Sequence, residues 1–189
     1  MGRKAGFRDE DVFGAVARLA IKGRGVVTRD ISEVSGVSVG SLYHRFGSLD
    51  GVLAETWLWG QEALQPHLVP PVLTGQAKGG LGAALNVLSF CKRDPGQALV
   101  VAMIARATLL PGPVPDGLSP RVAAIDNARA EAFETFGAEV GCGRDTAELG
   151  ILRFPLSCVQ MYLPDREIPA TIGGMVRLAY WAAVKRRDG

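Results

Sequence analysis

The spacing of apolar residues is the feature that most constrains the fold of this chain of 189 residues. Apolar side chains recur at intervals of three and four residues, and no stretch keeps the two-residue alternation of a β-strand. In the first such segment Phe13, Val16 and Leu19 share one face of a helix predicted over residues 9–22. The pattern therefore predicts an all-α fold of about nine helices.

Two short helices are predicted next, over residues 29–35 and 39–45. Their expected buried residues are Ile31 and Val34 in the first and Leu42 in the second. Residues 36–38 form a tight turn between them, since the glycine there tolerates a positive φ. A short helix, a tight turn and a second short helix are typical of a helix-turn-helix, whose second helix enters the DNA major groove.

Hydroxyl residues stand where these helices begin. Thr28, Ser38 and Ser48 are each expected to cap the helix that follows, and Ser48 precedes a longer helix over residues 49–65. Proline and glycine enrich residues 66–82, which predicts a break with a boundary near residue 67. The remaining helices are predicted over residues 82–93, 96–110, 120–137, 145–163, with a kink at Pro155, and 169–187.

The segment GVVTRDISEVSGVSVGSLYHRFGSLDGVL, residues 25–53, resembles the DNA-binding region of TetR-type (TetR/AcrR-like) transcriptional regulators. The matching positions are Thr28, Ile31, Ser35, Gly36, Val37, Ser38, Gly40, Ser41, Leu42, Tyr43, Phe46, Ser48 and Leu53. The resemblance covers residues 8–60, and the rest of the chain is similar to the family only in length and helical character. It implies a three-helix helix-turn-helix domain over residues 1–50 and an all-helical ligand-binding and dimerisation domain over residues 51–189.

The resemblance also implies roles for individual residues. Phosphate or backbone contacts fall to Thr28, Arg29, Tyr43, His44 and Ser48, and base edges to Ser38, Val39, Gly40 and Ser41. The family usually has lysine where this chain has Leu49, so one phosphate contact is expected to be missing. Arg45 or the basic N-terminal arm, with Arg3, Lys4 and Arg8, is a candidate replacement. Packing alone for Tyr43, and a surface position without a role for His44, stay open as alternatives.

The larger domain shows apolar helices with a few embedded polar groups, a composition that suits a small-molecule pocket. The candidate ligand-binding residues are Trp57, Phe90, Met103, Arg106, Phe154, Gln160, Met161 and Tyr162. Arg106 stands in an otherwise apolar helix and needs a partner if buried, either an anionic ligand or an internal acid. Plain core packing is the alternative for the aromatic and methionine positions.

Nothing in the sequence predicts an enzyme. The two histidines, His44 and His67, stand apart from cysteines and from paired carboxylates, so neither a metal site nor a cofactor is expected. Three scattered cysteines and the lack of a long apolar run favour a cytoplasmic protein without a membrane partner. A net charge of +2 is too small to identify a nucleic-acid partner by itself.

The expected function is therefore a homodimeric repressor that a small-molecule effector releases from a palindromic operator in double-stranded DNA. Dimerisation is expected through the last two helices, although these could instead only cover their own core. The alternative is a DNA-binding protein whose helical domain recruits a protein partner and binds no ligand.

Overall fold

A computed structural model describes residues 6–23 and 25–184, and within these ranges every regular element is helical. This confirms the predicted all-α class. The α-helices are α1 Asp9–Ala20, α2 Thr28–Ser35, α3 Val39–Phe46, α4 Leu49–Leu73, α5 Ala77–Arg93, α6 Pro95–Ala98, α7 Arg106–Leu109, α8 Ser119–Val140, α9 Arg144–Glu148, α10 Phe154–Gln160 and α11 Ile172–Val184. Two π-helical segments, Leu99–Met103 and Leu149–Arg153, lie between them. In these ranges no helix is both long and apolar enough to cross a bilayer.

The first three helices pack against the beginning of α4 around one apolar cluster, the smaller core. Its buried members are Val12, Val16, Ala17, Ile31, Val37, Leu42, Val52, Leu53, Trp57, Leu58, Val100, Leu109, Val122 and Ile125. Residues beyond 50 therefore complete the core of the N-terminal helices, because the first turns of α4 supply part of it.

Two local expectations for α2 are wrong. Val34 is 42% exposed, because α2 ends at the next residue and the chain turns away at Gly36, whose φ is +73°. Thr28 forms no capping hydrogen bond in the described chain; it is the first residue of α2, and its hydroxyl lies 3.4 Å from that of Tyr43.

Helix α4 runs past the predicted boundary near residue 67, with Pro66, Pro70 and Pro71 inside it. A proline lacks the N–H that would bond the carbonyl four residues earlier. For Pro71 this carbonyl belongs to His67, and Asn86 of α5 donates to it instead, at 3.2 Å. A neighbouring helix thus satisfies a carbonyl that a proline leaves without its donor, which the sequence of α4 alone could not reveal.

The helices predicted over residues 96–110 and 145–163 are both interrupted. In the first, the π-helical segment gives way to extended backbone at Ile104, and the Gln160 side chain donates to the carbonyl of Ala102. In the second, Pro155 lies at the start of α10, directly after the other π-helical segment. The donor that Pro155 lacks therefore falls where the chain changes from π-helix to α-helix.

A second apolar cluster, the larger core, joins α4, α5, α8, α10 and α11. Phe133 and Phe136 of α8 and Tyr180 of α11 are among its fully buried side chains. The Tyr180 hydroxyl donates to the carbonyl of Ala77 at 2.6 Å. Burial raises the pKa of the Cys91 thiol in this core to about 12, so Cys91 is a packed thiol without thiolate character.

Candidate functional site

Helix α3 presents a polar face to solvent. Leu42 is its buried residue and anchors it to the smaller core. Exposed around it are Ser38, Val39, Gly40, Tyr43 and His44. Tyr43 is 48% exposed, so it projects from the surface. These five residues, which the resemblance assigns to DNA, are therefore accessible to solvent.

The turn before α3 is held by its own side chains. The Ser38 hydroxyl accepts from the backbone N–H of Ser41 at 3.1 Å, which confirms the predicted cap. The two serine hydroxyls also share a hydrogen bond of 2.8 Å. A Cβ built on Gly40 would meet nothing within 4 Å, so the backbone there is open to solvent. Ser48 likewise caps α4 by accepting from the N–H of Gly51 at 3.0 Å.

Tyr43 and Thr28 link α3 to the start of α2 through their hydroxyls, 3.4 Å apart. Arg29, also at that helix start, is exposed. The free N–H groups of a helix N-terminus favour an anion nearby, so this corner combines donors of the kind that bind phosphate.

Arg45 is engaged within the protein. Its guanidinium donates to the Asp9 carboxylate of α1, with a shortest separation of 2.6 Å between Nη2 and Oδ2. The hydrogen bond and charge of Asp9 raise the pKa of Arg45. Leu49, which stands where the resembling family has lysine, is half-buried against the smaller core. Arg45, a candidate replacement for the missing phosphate contact, is therefore already paired with an acid in this structure.

The basic arms lie mostly outside the described residues, which exclude Arg3, Lys4 and the last five positions. Arg8 is described and is paired with Asp11 at 2.8 Å on the exposed start of α1.

The eight candidate ligand-binding residues do not meet at one place. Arg106 is not buried: its side chain is 49% exposed and forms two hydrogen bonds of 2.8 Å to Asp126. Its guanidinium carbon lies 4.6 Å from the centre of the Trp57 ring, which belongs to the smaller core. The partner of Arg106 is therefore an acid, but the pair lies at the surface. Arg106 is exposed because the helix predicted over residues 96–110 breaks at Ile104.

Met103 and Gln160 line an open groove of about 450 Å³ that runs between the first π-helical segment and α10, hereafter the π groove. The other candidates lie elsewhere. Phe90 is buried in the larger core beside the His67 ring, and Phe154 packs at the edge of that core. Met161 is 62% exposed, and Tyr162 carries the Arg166 guanidinium 5.2 Å from its ring centre. A larger groove of about 810 Å³, beside α5 and residues 163–170, contains none of the eight.

One polar cluster was missed from the sequence. Arg129 of α8 donates to the side-chain oxygen of Gln61 at 2.8 Å, between the smaller and the larger core. Its Nε is inaccessible to solvent and has no hydrogen-bond partner within the described ranges. Burial lowers the pKa of Arg129. The spacing along α8 could have shown the site, since Ile125, Arg129, Ala132 and Phe133 fall on one helical face.

An apolar stripe follows the exposed side of α11. Met175, Leu178 and Trp181 recur every three residues, and they are 54%, 76% and 41% exposed. Contiguous exposed apolar side chains of this kind mark surfaces that another macromolecule covers.

No protein-family model matches the sequence, and no curated protein is significantly similar to it. Among the described residues there is also no group of three or more histidine, cysteine or acidic side chains arranged to hold a metal ion. The geometry of the chain itself must therefore carry any functional proposal.

Proposed function

We propose that this chain is a TetR-type transcriptional regulator that binds operator DNA as a homodimer and is released by a small-molecule effector. The observation that carries the proposal is the exposed face of α3. This helix buries Leu42 and turns hydroxyls, an imidazole and open backbone to solvent. The major groove is about 12 Å wide and accepts one α-helix, whose diameter with side chains is about 10–12 Å.

The contacts divide into two kinds. Ser38, Val39, Gly40 and Ser41 begin α3 and would face base edges, which the N-terminal residues of a recognition helix contact. Thr28, Arg29, Tyr43, His44 and Ser48 surround that start and would contact phosphates, which fix the position of a protein on the duplex.

A second copy of the chain would cover the apolar stripe on α11. A two-fold interface places the same surface patch of each subunit against the other, and the wide apolar stripe suits such self-pairing. Two recognition helices would then address two half-sites about 34 Å apart on a palindromic operator.

A partner-recruiting DNA-binding protein without a ligand is a second candidate. It is favoured by one observation: the π groove and the groove of about 810 Å³ are both open to solvent. An effector bound in either of them would occupy a surface groove.

The test measures affinity for DNA taken from immediately upstream of the protein's own coding sequence, by fluorescence anisotropy at several salt concentrations. Replacing both Tyr43 and His44 by alanine should weaken binding about tenfold or more, because two phosphate contacts are lost. Affinity should also fall steeply with salt, since bound cations release counterions from DNA.

The matched control replaces the chemically identical pair Tyr162 and His67, which lie in the larger domain, and should leave affinity unchanged. Equal affinity of the wild type and the Tyr43→Ala/His44→Ala variant would show that α3 is not the DNA-binding surface.

A further inference from the structure

The π groove is lined by both apolar and polar side chains. Its lining residues are Val101, Ala102, Met103, Ile104, Ala105, Arg153, Leu156, Ser157 and Gln160. Val101, Met103, Ile104 and Leu156 are only partly covered, so they offer apolar surface to a molecule in the groove. Arg153, Ser157 and Gln160 are exposed and supply charge and hydrogen-bonding groups beside it.

Three guanidinium groups share two carboxylates, and one of the three, that of Arg153, lines the groove. Arg106 holds Asp126 through two hydrogen bonds of 2.8 Å. Arg153, which lines the groove, pairs with Glu148 at 2.8 Å. Arg129 has no carboxylate hydrogen bond in the described chain, so the cluster carries one positive charge in excess.

Arg129 is coupled to both ion pairs. Its pKa is lowered first by burial and also by the positive charges of Arg106 and Arg153, while Asp126 and Glu148 act in the opposite direction. Its hydrogen bonds go to neutral amides, those of Gln61 at 2.8 Å and Gln65 at 3.5 Å. Arg129 is partly buried and its Nε is inaccessible to solvent. A cation that is partly removed from water without a matching anion is unfavourable, so an external anion close to this cluster would be stabilised.

From this arrangement we infer that the π groove binds an amphipathic monocarboxylate. The carboxylate accepts hydrogen bonds from Arg153, and the hydrocarbon chain lies against Val101, Ile104 and Leu156. A guanidinium has five N–H donors, so Arg153 can hold a second carboxylate while its Nη2 remains paired with Glu148. A single negative charge matches the excess of one, whereas a multiply charged phosphate exceeds it.

This inference rests on the proposed function, because it names the chemical class of the effector. The groove also explains how an effector would act on the DNA-binding helices. Its wall includes the segment that carries Val100, which packs in the smaller core against α4. A ligand that shifts this segment therefore acts on the core to which α3 is anchored.

Binding is tested by calorimetry and thermal unfolding of the free full-length protein with octanoate. Octanamide and octylamine, which have the same chain length but no negative charge, serve as controls. Octanoate should bind and raise the melting temperature, and the two controls should do neither. Equal binding of octanoate and octanamide, or no binding of octanoate at millimolar concentration, overturns the inference.

Variants locate the site. Arg153→Gln should weaken octanoate binding about tenfold or more, because it removes charge-assisted hydrogen bonds. Arg129→Met should weaken it less, about threefold, because this residue acts through its charge alone. Arg93→Gln, which removes the same charge outside the groove, is the control and should bind octanoate like the wild type. Wild-type affinity in Arg153→Gln overturns the inference.

A substitution at an exposed position tests the site even if Arg129→Met fails to fold. Ser157 is exposed in the groove, so Ser157→Glu should fold normally, repel the carboxylate and abolish octanoate binding, whereas Ser157→Gln should retain it. Octanoate binding to Ser157→Glu at wild-type affinity overturns the inference. The binding assay contains no DNA, so its failure is distinct from failure of the DNA-binding proposal, which the α3 variants test.

Discussion

The two ends of this molecule expose opposite kinds of surface. Helix α3, near the N-terminus, exposes Ser38, Tyr43 and His44 and buries Leu42. Helix α11, near the C-terminus, exposes Met175, Leu178 and Trp181. A polar face with open backbone suits a hydrated, charged partner, whereas an apolar face suits a protein surface. The exposed surfaces of the two helices therefore suit different kinds of partner, although both helices contribute buried residues to an apolar core.

The supporting cores differ as well. The smaller core gathers side chains from several short helices and from the beginnings of longer ones, while the larger core packs long helices around Phe133 and Phe136. The polar contact of Arg129 with Gln61 lies between the two. We therefore expect the two cores to differ in their response to truncation of a single side chain.

The largest effect should come from Phe136→Ala, which leaves a cavity in the larger core and should lower the free energy of unfolding by about 3–5 kcal/mol. Urea unfolding followed by circular dichroism measures this loss. In a Trp181→Phe background the fluorescence of Trp57 and Trp59 reports the smaller core. In Phe136→Ala the urea midpoint of this fluorescence transition should fall less than that of the dichroism transition.

The reciprocal control is Leu42→Ala, which truncates the smaller core and should cost about 2–5 kcal/mol. In this variant the urea midpoint of the fluorescence transition should fall more than that of the dichroism transition. If the two transitions coincide in both variants, the cores unfold as one unit and the contrast between them is wrong.

The next effect concerns the apolar stripe. Leu178→Glu places a charge on the most exposed member of the stripe and should convert the dimer to a monomer, as measured by light scattering after gel filtration. Loss of paired half-site binding should then weaken operator affinity about a hundredfold. Leu73→Glu, at an exposed leucine outside the stripe, is the control and should stay dimeric. A dimeric Leu178→Glu would place the interface elsewhere.

The smallest effect concerns the polar end. Asp9→Asn should release Arg45 from its exposed ion pair with little change in stability, because solvent screens such pairs. The freed guanidinium can then reach a phosphate, so the salt dependence of DNA binding should steepen by about one unit of slope.

Asp94→Asn is the matched control, because it frees Arg93 of α5, outside the proposed DNA-binding surface, from an ion pair of similar exposure. An unchanged slope in Asp9→Asn would mean that Arg45 does not face the duplex.

Sequence reasoning succeeded where structure is decided locally. The caps at Ser38 and Ser48 follow from a hydroxyl and the nearby N–H groups, and the turn at Gly36 follows from its tolerance of positive φ. These features were predicted correctly because each depends on a few adjacent residues.

It failed where distant residues decide. In α4, the carbonyl of His67, which Pro71 leaves without a donor, is satisfied by Asn86 of another helix. Arg106 is exposed because its predicted helix breaks, and Gln160 of α10 donates to the carbonyl of Ala102 near that break. The polar contact of Arg129 likewise needs two helices to be placed side by side. Such pairings arise only in the folded chain, so the single sequence predicts the caps and turns of the N-terminal helices better than the packing of the larger core.

The prolines of α4 have a consequence for how this helix melts. Its first half contains no proline and contributes to the smaller core, whereas its second half lacks the backbone donors of Pro66, Pro70 and Pro71. The second half therefore depends on contacts with neighbouring helices to remain helical. When α5 detaches, amide protons in that half should exchange with solvent early, while those near Val52 stay protected. Proteases would then cleave first in the second half of α4, the longest helix among the described residues.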